Sequence, residues 1–316
     1  MYAIGIDIGG TSIKGAIVTD KGEVLTRFAM DVDKNSPGEV EVNKFCDVML
    51  KAIKEYDPNI KLEGVGIGMP GILDMDKGVV ITSPNLTEWN SLPLGQLISK
   101  RTGLPVYLNN DANVAALGEA RFGSGKEFSD MIMLTLGTGV GGGIVINNRL
   151  YDGNMHMGAE LGHMVLRVGG RQCGCGRKGC FEAYASATGL IMDTKEEMEA
   201  CPDSLMHQVA KEEGKVNAKV AFKADRLGDK AAHRVVLRYV QDLSEGILNY
   251  CNIFRPEVVV LSGGVANEGD YLFDMVRSYI ESYHYGMKGS PKVEIRVASL
   301  GYDSGKIGAA CLVFDK

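Results

Sequence analysis

The stretch "DIGGTSIKG", Asp7–Gly15, decides how the rest of the chain is read. "YAIGIDIGG", "SIKGAIVTD" and "GEVLTRFAM" read as three short strands joined by glycine-containing turns, an antiparallel meander. Gly9 and Gly10 let the backbone turn sharply and bring N–H groups close to a ligand. Asp7 ends the first strand, Thr11 offers a hydroxyl and Lys14 a charge. This set suits a phosphate tail with its magnesium, Asp7 acting through a metal-bound water. The G-x4-G-K-[ST] spacing of a P-loop is absent. A plain hairpin turn fits the stretch, taken alone, equally well.

The pattern then restarts. "MIMLTLGTGVGGGIVINNRLY", Met131–Tyr151, is again strand, glycine turn, strand, and "LSGGV", Leu261–Val265, is a third strand ending in Gly-Gly. Ligands of open α/β sheets gather at strand carboxyl ends, so the three turns together point to a nucleotide. Between them, "DKNSPGE" (33–39) reads as a linker and Val42–Tyr56 as an amphipathic helix. "LEGVGIGMPG" is a buried strand, and "LPVYLNNDANVAALGEARFG" is strand, turn and helix with Asn110 or Asp111 as N-cap. A helical stretch runs from about Ser186 to Phe254, broken at Cys201–Pro202 and near Gly214 and Gly228. "EVVVLSGGVAN", the helix "YLFDMVRSYIESY" and a last helix "SGKIGAACLVF" follow. Two α/β halves with a cleft between them are the simplest architecture.

Composition narrows the function classes. A chain of 316 residues suits about two domains. Its net charge, 34 − 40 = −6, with no long Lys/Arg run, argues against nucleic acid as main partner. The longest apolar-looking stretch carries five glycines, which argues against a membrane span. No secretory signal is expected ahead of the first strand, so seven cysteines point to a reducing, cytoplasmic setting. Cys46, Cys201, Cys251 and Cys311 read as small buried apolar residues.

The remaining three cysteines cluster in "CGCGRKGC", Cys173–Cys180. In a reducing compartment such thiolate density favours metal over disulfide, and the spacing is not the C-x-x-C of a redox site. Tetrahedral zinc wants a fourth ligand, and His163 is the closest histidine in sequence. Cys173, Cys175, Cys180 and His163 are therefore expected to form a structural Cys3His site, with Arg171, Arg177 and Lys178 offsetting thiolate charge. "NND", Asn109–Asp111, places a carboxylate at a strand end, where it could accept a hydroxyl proton or simply cap a helix.

"DIGGT", "NNDAN", "GAELGH" and "CGCGRKGCFE", in this order, resemble the ROK family of sugar kinases and repressors, within the actin/hexokinase/heat-shock-protein-70 superfamily. The match runs from Ile4 to about Ala310. "WNSLPL" and "ASATGL" look most like its bacterial glucokinase branch. The resemblance implies a two-lobed actin-like ATPase (ribonuclease H-like) fold with a cleft between the lobes. Lobes of 1–115 plus 301–316 and of 116–300 are expected, with a zinc-binding loop at 163–182. It also implies ATP- and Mg2+-dependent phosphorylation of a hexose 6-hydroxyl, with structural zinc, in a cytoplasmic homodimer or homotetramer. By position, Asp111 matches the catalytic base. Asn85, Asn110, Glu160, His163 and Glu182 match sugar-hydroxyl ligands. Asp7, Gly9, Gly10, Thr11, Lys14, Thr138 and Gly139 match phosphate and magnesium positions, and Gly263 and Gly264 the adenosine-side turn.

His156 and Met157 stand where relatives often carry small residues, and Ala159 replaces the commoner glycine before Glu160. The bulkier pair bears on the choice of glucose over N-acetylmannosamine, allose, fructose or mannose. Two rivals carry different tests. A sugar-responsive repressor would need a helix-turn-helix domain, for which a first strand at residue 2 or 3 leaves no room. A non-catalytic sugar sensor would release no ADP.

Overall fold

In the computed structural model, which describes residues 1–285 and 291–316, the chain opens as the expected meander. β1 (Tyr2–Ile8), β2 (Ser12–Thr19) and β3 (Val24–Asp31) pair antiparallel. α1 (Gly38–Tyr56) starts directly after Pro37, so Gly38 and Glu39 belong to the helix and not to a linker. β4 (Leu62–Met69) follows, then a hairpin of β5 (Ile72–Asp74) and β6 (Val79–Thr82), α2 (Leu94–Thr102), β7 (Val106–Asn110) and α3 (Asp111–Phe122). The sheet order is β3-β2-β1-β4-β7, with β1, β4 and β7 parallel.

The restart is equally plain. β8 (Met131–Leu136), β9 (Val140–Ile146) and β10 (Arg149–Tyr151) are followed by α4 (Glu182–Ala185), α5 (Ala187–Ala200), α6 (Met206–Glu212), α7 (Lys219–Arg226) and α8 (Lys230–Phe254). The helix breaks fall at Cys201, Gly214 and Gly228, as expected. β11 (Val258–Ser262), α9 (Asp270–Tyr283), β12 (Glu294–Val297) and α10 (Ser304–Phe314) complete the chain. The second sheet runs β10-β9-β8-β11-β12, with β8, β11 and β12 parallel.

The chain folds as two compact units. One comprises Met1–Ser129, Gly143–Ala159 and Ala298–Lys316, the other Asp130–Gly142 and Glu160–Val297. In the first unit, one face of the sheet is closed by a core including Ile4, Ile6, Phe45, Met49, Ile67 and Trp89. α10 covers the other face, backbone against backbone. A Cβ on Gly5 would lie 1.8 Å from the Lys306 carbonyl oxygen, and one on Gly66 1.7 Å from that of Ala309. A Cβ on Gly308 would lie 1.6 Å from the Val114 carbonyl oxygen, so α10 also crosses α3 with no side chain between them. Small residues thus fix β1 and α3 relative to each other. Among the described residues no helix is long and apolar enough to cross a membrane.

Candidate active site

In the first unit the predicted residues collect at the carboxyl edge of the parallel strands. Asp7 pairs with Gly68 of β4, and Gly68 with Asn109 of β7. Adjacent strands lie about 4.8 Å apart, so the Asp7 and Asn109 backbones stand roughly 10 Å from each other. The β1–β2 turn is closed by the Gly9 N–H donating to the Ser12 carbonyl at 2.9 Å. Gly10 abuts Asn85, whose Cβ would be 2.8 Å from a Cβ placed there. Lys14 is the register partner of Asp7. Burial pushes the Asp7 carboxyl up, and the charges of Lys306 and Lys14 oppose that shift.

Asn110 is the N-cap of α3: its Oδ1 accepts the Ala112 N–H at 2.9 Å. Asp111 is therefore the first residue of the helix, half-buried, and its Oδ1 also accepts the Ala112 N–H at 2.9 Å. Buried Asn109 locks the corner, accepting from the Asn110 N–H at 2.8 Å and from Asn113 Nδ2 at 3.0 Å.

In the second unit the other two glycine turns meet. Ser262 pairs with Thr135 across the parallel β8 and β11. Gly263 has φ 91°, and a Cβ on it would sit 2.5 Å from the Leu136 carbonyl oxygen, so only glycine fits. The Gly137–Gly139 turn is held by Thr188, whose Oγ1 donates to the Thr138 carbonyl at 2.7 Å. Glu182 braces the same turn: its Oε2 accepts the Val140 N–H at 3.0 Å. Gly162 of the 3-10 turn Leu161–His163 packs onto Val140, leaving 2.0 Å between a Cβ there and the Val140 carbonyl oxygen.

The cysteine cluster is assembled. Ligand atoms of His163, Cys173, Cys175 and Cys180 all lie within 4.8 Å of one another. Cys173 Sγ is 3.7 Å from His163 Nδ1, and Cys175 Sγ is 3.6 Å from Cys180 Sγ. A tetrahedron with metal–sulfur bonds near 2.3 Å has edges of about 3.8 Å, so the donor set fits zinc in chemistry and in spacing. A tight turn makes the spacing possible: the Gly176 N–H donates to the Cys173 carbonyl at 3.1 Å, with Gly176 at φ 91°.

A sequence profile of the ROK family matches residues 3–316. The chain belongs to the ROK family. It is similar to a glucokinase of Thermotoga maritima, 36% identical over 99% of this chain and 97% of that one. A xylose repressor of Bacillus subtilis is 30% identical over 99% of this chain but only 77% of the repressor. Among solved structures, a ROK family glucokinase from Streptomyces griseus in complex with glucose and AMPPNP is 34% identical, with a TM-score of 0.79 over 100% of both chains. The fold of this ROK protein is accordingly the α/β actin-like ATPase fold.

Two expectations are corrected within the ROK chain. Arg171 does not offset thiolate charge. Its guanidinium is bidentate on Asp193, reaches Glu196 at 3.3 Å and lies over the Tyr184 ring. Cys46, Cys251 and Cys311 are buried as expected, but Cys201 is only half-buried, with its sulfur 3.2 Å from Arg234 Nη2. One residue beside the site was missed. Lys306 of α10 is 4% exposed and donates to the Tyr302 carbonyl at 2.7 Å and to Asp303 at 2.9 Å. Its signal was a lone lysine in the otherwise apolar "KIGAACLVF".

Proposed function

We propose that this ROK chain is an ATP- and Mg2+-dependent hexose kinase that converts glucose to glucose 6-phosphate. The observation that carries the reading is one sheet edge holding both a phosphate turn and a proton acceptor. β1 carries Asp7 next to its last residue and runs into the Gly9–Gly10 turn, and the parallel β7 ends in Asn110, with Asp111 opening α3 directly after it. Phosphoryl transfer asks for positioning and charge stabilisation more than for covalent chemistry. The Thermotoga maritima and Streptomyces griseus relatives, the latter holding glucose and AMPPNP, support glucose as substrate.

In this reading Asp111 takes the proton of the 6-hydroxyl as that oxygen bonds to the γ-phosphorus. The bond from the γ-phosphorus to the bridging oxygen breaks, and ADP leaves with that oxygen's electron pair. Asn110 uses its Oδ1 on the helix cap, so its NH2 is the group it offers a sugar hydroxyl. Asn85, Glu160, His163 and Glu182 bind the remaining hydroxyls. Gly9, Gly10, Thr138 and Gly139 turn backbone toward the phosphates, and Gly263 and Gly264 toward the adenosine. Asp7, through water, and Thr11 are hard-oxygen donors suited to magnesium, which neutralises phosphate charge. His163, Cys173, Cys175 and Cys180 would hold zinc, which stiffens the segment carrying His163 and Glu182. The family reading also carries a cytoplasmic homodimer or homotetramer.

A panel of hexoses with ATP and Mg2+, read as ADP release and as the position of the new phosphate, tests this. Glucose should give the highest kcat/KM and a 6-phosphate. Similarity to the xylose repressor across 99% of this chain, though only 77% of the repressor, favours a second reading, a sugar-responsive regulator. Sequence-specific DNA binding without ADP release would choose it.

A further inference from the structure

Seven non-glycine residues among those described adopt left-handed backbone, and three of them, Met155, His156 and Ala159, fall within five positions. Their φ angles are 55°, 57° and 63°. Side-chain-bearing residues avoid this region unless the surroundings impose it. Apolar burial does not impose it here, because the loop's apolar side chains Met155 and Met157 are 69% and 46% exposed.

Polar contacts tie the loop down instead. The Gly158 N–H donates to the Asp152 carbonyl at 2.7 Å and closes the loop at its base. The base is tight: a Cβ on Gly158 would stand 3.0 Å from Gly153 Cα and from the Asp152 carbonyl oxygen. Inside the loop, His156 Nδ1 lies 2.6 Å from Asp152 Oδ2. Its Nε2 lies 3.7 Å from Asp76 Oδ1, in the turn between β5 and β6. The imidazole thus links the loop to its own base and to a second element. The neighbouring Lys77 is engaged elsewhere, with Asp74 at 2.9 Å. The loop leaves through Ala159 directly into Glu160, and the His163 N–H donates to the Glu160 carbonyl at 3.0 Å.

We infer that His156 is a positioning residue: it pins the Asp152–Ala159 loop so that the chain enters Glu160–His163 in the geometry that binds a hexose. The inference rests on the proposed hexose-binding role of Glu160 and His163. It makes the strained loop a determinant of sugar affinity and choice, with no contact between His156 and the reacting atoms.

Calorimetric hexose titration and steady-state kinetics on the full chain test it. His156→Gly removes the pin and relieves the strain, and should weaken hexose binding about tenfold or more with kcat and the ATP KM nearly unchanged. His156→Asn, which tolerates left-handed backbone and keeps a polar contact to Asp152, should stay within about threefold of wild type. Asp76→Ala cuts only the outer contact and should shift hexose affinity in the same direction, by less. The inference is overturned if His156→Gly binds hexose like wild type, if hexose and ATP constants rise together, or if Asn fails as badly as Gly. A wild type that neither binds nor phosphorylates any hexose is a different result: it overturns the kinase reading, and this inference with it.

Discussion

Glu182 joins Cys173 to the second glycine turn. One carboxylate oxygen lies 3.3 Å from the Cys173 sulfur, and the other accepts the Val140 N–H at 3.0 Å. The cluster that fits zinc and the turn that suits phosphate are therefore braced by one side chain. Glu182→Ala should lower stability by about 1–3 kcal/mol, the cost of an orphaned donor, and raise the hexose KM. Urea denaturation beside steady-state kinetics checks both. Unchanged stability would mean that the brace carries no weight.

Elemental analysis should find about one zinc per chain. Chelation, or Cys180→Ser, should raise the hexose KM or unfold the second unit, since His163 belongs to the cluster and Glu182 touches it. A metal-free protein with wild-type kinetics contradicts this expectation.

Glu119 is fully buried in α3 and accepts the backbone N–H groups of Ser124 at 2.9 Å, Ser299 at 3.1 Å and Leu300 at 2.8 Å. Glu119→Ala strands all three donors and should cost at least ~3 kcal/mol. Ser299 and Leu300 lead into α10, so kcat should fall too. A variant as stable as wild type in urea would show that these bonds are replaced by water.

Arg27 makes a bidentate contact to Asp303, at 3.2 and 2.7 Å. That contact, aided by Lys306, holds the Asp303 carboxyl at about 2 against the opposing effect of burial. A carboxyl lowered on folding stabilises the fold above its unfolded pKa, and the contribution fades as pH falls toward 2. Arg27 is more than half exposed, which limits the contribution to about 1 kcal/mol at pH 7. Asp303→Asn should therefore differ from wild type by about that much at pH 7 and converge with it near pH 2. A gap that widens on acidification would contradict the assignment.

Local chemistry made much of this legible in the sequence. The meander, the Asn110–Asp111 corner and the breaks in the long helical stretch each carry a turn, cap or glycine signal. The cysteine spacing carried its own. Four short elements, β5, β6, α2 and β12, offer too few residues to show a period. Glu119, Lys306 and the Arg171–Asp193 pair were hidden for another reason. A buried charge looks like any surface charge until tertiary structure brings its partner. The close approach of α10 to Gly5 and Gly66, and of Gly308 to α3, was likewise invisible, since a glycine in a strand or helix says nothing about which backbone lies against it.

The most direct measurement concerns Asp111. With Asp111→Ala, hexose binding by calorimetry should stay near wild type, while kcat for ADP release should fall by about two to four orders of magnitude, the usual contribution of a general base. A variant that binds hexose and keeps more than about a tenth of wild-type kcat would contradict Asp111 as the proton acceptor, and with it the mechanism proposed for this chain.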